Sequence, residues 1–147
     1  MTPEERQRLV MVARRARKIV EALRKKEVEN GNKIFPSRLN GMCARASTIL
    51  FTLLSNEGFN PTICFGDGHC FLEVENLVVD ITATQFGYGK VLIEPIEKMA
   101  AKPQWDSHPS LRYDSVEVAM LHQRDWKWPN SQRIKKKDLE FAKKFNG

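Results

Sequence analysis

The first segment of the chain has apolar residues at helical spacing on one side and mostly basic residues on the other. Thr2-Pro3-Glu4-Glu5 is typical of a helix start, with Thr2 as N-cap, Pro3 at the first helical position and Glu5 closing a capping box. We predict a helix over residues 2–29 that ends at Asn30-Gly31-Asn32. Its apolar stripe consists of Leu9, Val12, Ala13, Ala16, Ile19, Val20 and Leu23, and its polar cover includes Arg6, Arg14, Arg17, Lys18 and Lys25.

A second, largely apolar helix is predicted from about Gly41 to Ser55, ended by Gly58. Period-two patterns then predict strands near 61–66, 69–75 and 77–82, separated by turns at Asp67-Gly68 and near Asn76. Residues 91–93 suggest a fourth strand. The stretch 95–112 looks irregular, and helices are expected over 116–126 and 131–145.

These elements predict one α+β domain over residues 1–147, with a helical layer against a small antiparallel sheet. Its core is expected at 36–94, preceded by the N-terminal helix 2–29 and followed by a C-terminal helical extension, 113–147.

Charge is unevenly distributed over the chain, whose net charge is +6. Residues 1–26 carry nine Lys/Arg and three acids, residues 124–147 carry eight and three, and the middle is acidic. The basic ends either dock on nucleic acid or an acidic partner, or form solvated helix faces, and the second interpretation is favoured.

Targeting and redox signals are sparse. No apolar run reaches the length of a membrane span, and the acidic N-terminus does not resemble a secretory signal. Three cysteines do not suggest a disulfide scaffold. We therefore expect a cytoplasmic protein without membrane contact.

Cys43 is the first candidate for chemistry, because a turn at Asn40-Gly41 opens there into the second helix. A thiol in the first turn of a helix lies at the positive end of the helix dipole, which favours the reactive thiolate. The unpaired N–H groups of that turn are suited to an oxyanion. Taken alone, Cys43 would more simply be a buried apolar residue.

His69 and Asp80 favour a catalytic role for Cys43 over a purely structural one. His69 begins a strand after Gly66-Asp67-Gly68, and Asp80 interrupts the apolar strand Leu77-Val78-Val79-Asp80-Ile81. If Glu75-Asn76 is a two-residue turn, Val74 pairs with Leu77, and His69 and Asp80 share a face as diagonal neighbours. Cys43, His69 and Asp80 then form a nucleophile, base and orienter set.

Further candidates are weaker. Arg38 and Asn40, just before Cys43, and Gln85, after the Asp80 strand, are possible substrate or oxyanion contacts, although loop or capping roles explain them equally well. A zinc site of Cys64, His69 and Cys70, with or without Cys43, lacks the close ligand pairs typical of zinc. We therefore predict no metal and no cofactor.

The helix-borne Cys43, Gly-Asp-Gly-His69 at a strand start and Val-Val-Asp80-Ile-Thr on the next strand resemble the papain-like and transglutaminase-like superfamily, including a small uncharacterised bacterial and phage branch. The resemblance covers roughly residues 36–90. It implies a central helix that begins at the cysteine, packed on an antiparallel sheet, with Cys43 as nucleophile, His69 as general base and acid, and Asp80 as orienter. The chain departs from it in lacking an aromatic residue after Cys43 and a glutamine before it.

The leading hypothesis is a cysteine hydrolase or acyl/amide transferase that acts on a protein or small amide or acyl substrate through a thioester. The alternative is a basic module that binds nucleic acid or an acidic partner through its ends, with Trp105, Trp126 and Trp128 as stacking surface. Steep salt dependence of nucleic-acid binding would favour the alternative. A toxin or effector enzyme with a host protein as target is a third possibility.

Overall fold

Five helices and a five-stranded sheet make up the computed structural model, which describes residues 1–29, 41–126 and 133–146. The helices are α1 (Pro3–Glu29), α2 (Cys43–Asn56), α3 (Ile96–Met99), α4 (Val116–His122) and α5 (Lys136–Ala142). The strands are β1 (Thr62–Gly66), β2 (His69–Val74), β3 (Leu77–Asp80), β4 (Leu92–Pro95) and β5 (Arg112–Tyr113). The predicted α+β class is confirmed.

Helix α1 begins with the predicted capping box. The Glu5 backbone N–H donates to Thr2 Oγ1 at 3.1 Å, and the Thr2 N–H donates back to Glu5 Oε1 at 3.2 Å. The predicted apolar stripe faces the core. Arg17 differs from the prediction, because it is buried rather than part of the solvated polar face.

The hairpin β2–β3 has the predicted register. Val74 pairs with Leu77, Glu73 with Val78 and Leu72 with Val79, around a two-residue turn in which Glu75 has a φ of +56°. Because side chains alternate along both strands, this register brings His69 and Asp80 to one face. The fourth strand is also confirmed, as β4, and it pairs with β3.

The sheet has the order β4-β3-β2-β1-β5, with every pairing antiparallel, and both of its faces are buried. Helix α2 packs on one face, and α1 and α5 pack on α2. The expectation of a single helical layer is therefore incomplete. The other face is covered by residues between 83 and 105, including Phe86, Tyr88, Met99 and Trp105.

The stretch 95–112, expected to be irregular, contains α3 and short 3-10 turns at Pro103–Trp105 and Pro109–Leu111. The first of these turns packs closely against β1 at Gly66. A Cβ atom at this position would lie 2.0 Å from the Gln104 carbonyl oxygen. The Asp67 N–H donates to the Pro103 carbonyl at 2.9 Å. Glycine at position 66 thus allows the close approach that brings Trp105 onto the sheet.

The two C-terminal helices are shorter than predicted. Helix α4 ends at His122 and continues as a 3-10 turn, and α5 begins at Lys136 rather than Ser131. The later start of α5 reflects its cap, since Asp138 accepts the Lys135 backbone N–H at 2.9 Å. In the part of the chain described, no helix is both long and apolar enough to span a membrane.

Candidate active site

Cys43, His69 and Asp80 come together where three elements meet. Cys43 is the first residue of α2, His69 the first of β2 and Asp80 the last of β3. His69 Nε2 lies 2.5 Å from Asp80 Oδ2. Cys43, His69 and Asp80 are 4%, 0% and 2% exposed, so all three side chains are buried.

The other side of the His69 ring faces Cys43. Nδ1 makes no hydrogen bond within the described residues, but the Cys43 side chain is near enough to raise the pKa of His69. Since Nε2 is engaged by Asp80, Nδ1 is the ring nitrogen left for the Cys43 thiol. The imidazole therefore lies between a thiol and a carboxylate, the order that nucleophilic catalysis by cysteine requires.

Asp80 is held by four hydrogen bonds although it is buried. Oδ2 accepts from His69 and from the Trp105 indole N–H at 2.8 Å, while Oδ1 accepts the backbone N–H and hydroxyl of Thr82 at 2.8 and 3.1 Å. Burial alone would raise the pKa of Asp80, but the charge and hydrogen bond of His69, with the Thr82 and Trp105 donors, lower it below its usual value. The carboxylate is thus kept ionised.

Aromatic side chains enclose His69. The rings of Phe86 and Trp105 meet it edge-on, with centroids at 4.9 and 5.8 Å, and Phe71 stacks at 6.0 Å. This burial disfavours the imidazolium, but Asp80 and the Cys43 sulfur outweigh it and raise the pKa of His69 to about 10. His69 is therefore protonated at neutral pH, next to the Asp80 carboxylate.

The start of α2 has no side-chain cap. Its N-cap residue is Met42, and the Ala46 N–H donates to the Met42 carbonyl as the helix begins. The preceding N–H groups, from Cys43 to Arg45, have no acceptor within the helix, as in any helix start. They lie next to the Cys43 thiol, and they can bind a developing negative charge.

The other two cysteines differ from Cys43 in their surroundings. Burial is the main cause that raises the pKa of both Cys64 and Cys70, which therefore remain thiols. Their side chains belong to opposite faces of the sheet. The zinc arrangement weighed from the sequence therefore does not assemble, and among the described residues no group of three or more His, Cys, Asp or Glu is placed to hold a metal ion.

The predicted helper residues have separate outcomes. Gln85 lies in the 3-10 turn after β3, where its amide donates to Thr82 Oγ1 at 3.4 Å, so it supports the surroundings of Asp80 and not those of Cys43. Arg38 and Asn40 lie outside the described residues.

Sequence reasoning missed three residues that hold the site. Thr82 and Trp105 bond Asp80 directly. Arg17, on α1, donates from Nη1 to the Ile81 carbonyl at 2.8 Å and to Thr84 Oγ1 at 3.0 Å. The Thr two residues after Asp80 was a usable signal, because Asp side chains often accept a backbone N–H two residues on.

Trp105 is not available for the stacking surface that the binding-module hypothesis needs. Trp105 is 1% exposed, so this part of the prediction is wrong. Trp126 is half-buried with its ring 4.6 Å from that of Phe65, and Trp128 lies outside the described residues. An indole that bonds a buried carboxylate cannot also stack on a nucleobase.

Comparison with known proteins returns no match for this chain to a protein-family model, a curated protein or a solved structure. The geometry of the site is therefore the basis on which a function can be proposed.

Proposed function

We propose that the protein is a cysteine-dependent hydrolase or acyl/amide transferase, with a papain-like or transglutaminase-like core. Cys43 is the nucleophile, His69 the general base and acid, and Asp80 the residue that orients His69. The observation that supports this most strongly is the 2.5 Å bond from His69 Nε2 to Asp80 in a ring whose other side meets the Cys43 sulfur.

The first half-reaction forms a thioester. The Cys43 thiolate attacks the carbonyl carbon of an amide or acyl substrate, a C–S bond forms, and the carbonyl electron pair moves to oxygen. Backbone N–H groups at the start of α2 bind this oxyanion. When the intermediate collapses, the bond to the leaving amine or alcohol breaks, and His69 gives its proton to that group.

The second half-reaction releases the acyl group. His69, now neutral, removes a proton from a water or an amine, which attacks the thioester carbonyl. The C–S bond breaks, the thiolate is regenerated beside protonated His69, and the product is an acid or a new amide. Water as acceptor makes the protein a hydrolase, and an amine makes it a transferase.

Asp80 acts through His69. Its carboxylate fixes the ring so that Nε2–H points to Asp80 and Nδ1 points to the thiol, and it stabilises the imidazolium. Thr82 and Trp105 hold that carboxylate in place. The burial of His69 and Asp80 supports this orienting role. A buried carboxylate requires hydrogen-bond partners, and those partners hold it in one position.

The experiment that tests the proposal is acylation by p-nitrophenyl acetate, followed by mass spectrometry of the peptides. We expect an acetyl adduct on Cys43 and release of p-nitrophenolate, both lost in Cys43→Ala. Cys64→Ala is the matched control, since it removes a buried thiol of β1 that has no part in the proposed chemistry, and it should behave as wild type. A folded Cys43→Ala protein with undiminished esterase activity would overturn the proposal.

A further inference from the structure

A pocket of about 260 Å³ borders the start of α2. Gly41, Met42 and Ala44 form one wall, and the last two flank Cys43 in the chain. The remaining lining is charged, with five cationic side chains and two carboxylates, namely Arg24, Arg45, Arg133, Lys135, Lys137, Glu27 and Asp138.

Both carboxylates of the pocket bond Arg45, and Glu27 also pairs with Arg24. Its Nη1 lies 2.5 Å from Glu27 Oε1, and its Nε lies 2.8 Å from Asp138 Oδ1. The second oxygen of Asp138 accepts the backbone N–H of Lys135 at 2.9 Å. The two carboxylates balance two of the five positive charges and leave the pocket with an excess of positive charge.

Arg24 shows the consequence of that excess. It is 4% exposed, and its ion pair with Glu27 is long, at 3.5 Å. Burial lowers the pKa of Arg24, Glu27 only partly opposes this, and the charge of Arg45 adds to the lowering. Arg24 and Arg45 thus place two guanidinium groups side by side at the pocket.

Three further cationic side chains line the same pocket. Lys135 and Lys137 are exposed, and their side chains can move to meet a ligand. Arg133 is held by bonds from its guanidinium to the carbonyls of Gln123 and Trp126. Helix α2 has fourteen residues, and its first turn has no side-chain cap. The positive end of the helix dipole therefore adds to the positive charge of the pocket.

We propose that this pocket is a substrate subsite that binds an anionic group, a carboxylate or a phosphate, on the acyl or amide compound attacked by Cys43. The assignment as a substrate subsite rests on the proposed function, whereas anion binding itself does not. The volume suits one such group with a few attached atoms, so the geometry favours a small acidic substrate or the acidic side chain of a peptide.

The test is an NMR titration of the full-length protein with inorganic phosphate and, separately, with succinate, observed at the backbone amides of Ala44 and Arg45. We expect saturable shifts with at least one of the two probes. In Lys135→Gln/Lys137→Gln binding should weaken about tenfold, as expected for the loss of charge-assisted contacts. Lys136→Gln/Lys143→Gln is the matched control, because it removes two exposed lysines of the same segment that do not line the pocket.

Binding of one probe alone would identify the group as phosphate or as carboxylate. The absence of saturable shifts with both, or equal weakening in the control variant, would overturn the inference. Acetylation of Cys43 separates the two proposals. Anion binding without acetylation would contradict the proposed function only, and acetylation without anion binding would contradict the subsite only.

Discussion

Trp105 donates its indole N–H at 2.8 Å to Oδ2 of Asp80, the same carboxylate oxygen that lies 2.5 Å from Nε2 of His69. The two residues are separated by 25 positions in the chain, and the turn that carries Trp105 packs against Gly66. One side chain thus closes the second face of the sheet and fixes the orienting carboxylate. Its removal should affect both stability and reactivity.

Trp105→Phe should keep most of the ring packing and remove only this donor. We expect a loss of about 1–3 kcal/mol in the free energy of unfolding, the cost of leaving a buried acceptor undersatisfied. Urea unfolding followed by circular dichroism measures it. Trp126→Phe is the control, since this half-buried side chain bonds Tyr113 and not a buried carboxylate. An equal or smaller loss in Trp105→Phe than in the control would show that the indole donor contributes little.

Asp80→Asn should slow the chemistry of Cys43 far more than it disturbs the fold. The amide has one acceptor oxygen in place of two, so it cannot accept from His69 and Trp105 as well as from Thr82, and it has no charge to stabilise a protonated His69. We expect a fall in the rate of acylation of about 10²- to 10⁴-fold, as for the loss of an orienting carboxylate. Acylation kinetics with p-nitrophenyl acetate measure it, with circular dichroism as the check on folding. A rate within about twofold of wild type would remove Asp80 from the mechanism.

Arg17→Lys should loosen the segment that follows Asp80. The Arg17 guanidinium donates to both the Ile81 carbonyl and the Thr84 hydroxyl. The lysine side chain is shorter and its ammonium cannot reproduce the planar guanidinium geometry. We expect destabilisation of about 1–3 kcal/mol by urea unfolding. Arg14→Lys, on the same helix but exposed, is the control and should stay within about 0.5 kcal/mol of wild type. Equal stability of the two variants would contradict the positioning role of Arg17.

The His69–Asp80 pair makes stability depend on pH with a definite sign. His69 has a pKa of about 10 in the folded protein against an ordinary value of 6.5, so folding takes up a proton between those values. The stabilisation is complete below about pH 6.5 and is lost as the pH rises toward about 10. The pKa of Asp80 is lowered in the folded protein. Asp80 therefore contributes to the free energy of unfolding above about pH 4, and this contribution is lost only in stronger acid.

The measurement is the free energy of unfolding of wild type relative to His69→Gln across this range. The advantage of wild type should be a few kcal/mol near pH 6 and should decrease toward pH 10. An advantage that increases with pH would indicate a histidine buried in the neutral form and would contradict the ion pair.

The hairpin and its pair of residues were predictable from the sequence for a physical reason. A two-residue turn and strict alternation leave one register for β2 and β3, and that register brings His69 and Asp80 to one face. The position of Cys43 near a helix start was also predictable, because the turn at Asn40-Gly41 precedes a segment with apolar residues at helical spacing. Local patterns of this kind do not depend on distant parts of the chain.

The support for the site could not be predicted in the same way. Trp105 lies in a segment without periodicity, and its contact with Asp80 depends on how that segment crosses the sheet. Arg17 lies among several arginines of α1, and nothing in the pattern distinguishes the one that is buried. The sequence pattern predicts too early a start for α5. The residues before its cap have a basic composition similar to that of the helix itself, so composition does not mark the first helical residue.

The most direct test of the central claim is the rate of alkylation of Cys43 by iodoacetamide against pH, in wild type and in His69→Gln. Peptide mass spectrometry assigns the label, since Cys64 and Cys70 should remain unlabelled in the folded protein. If Cys43 is a thiolate paired with protonated His69, labelling persists below about pH 6 and is lost there in the variant. Labelling of wild type that follows an ordinary thiol and is unchanged in His69→Gln would contradict the account.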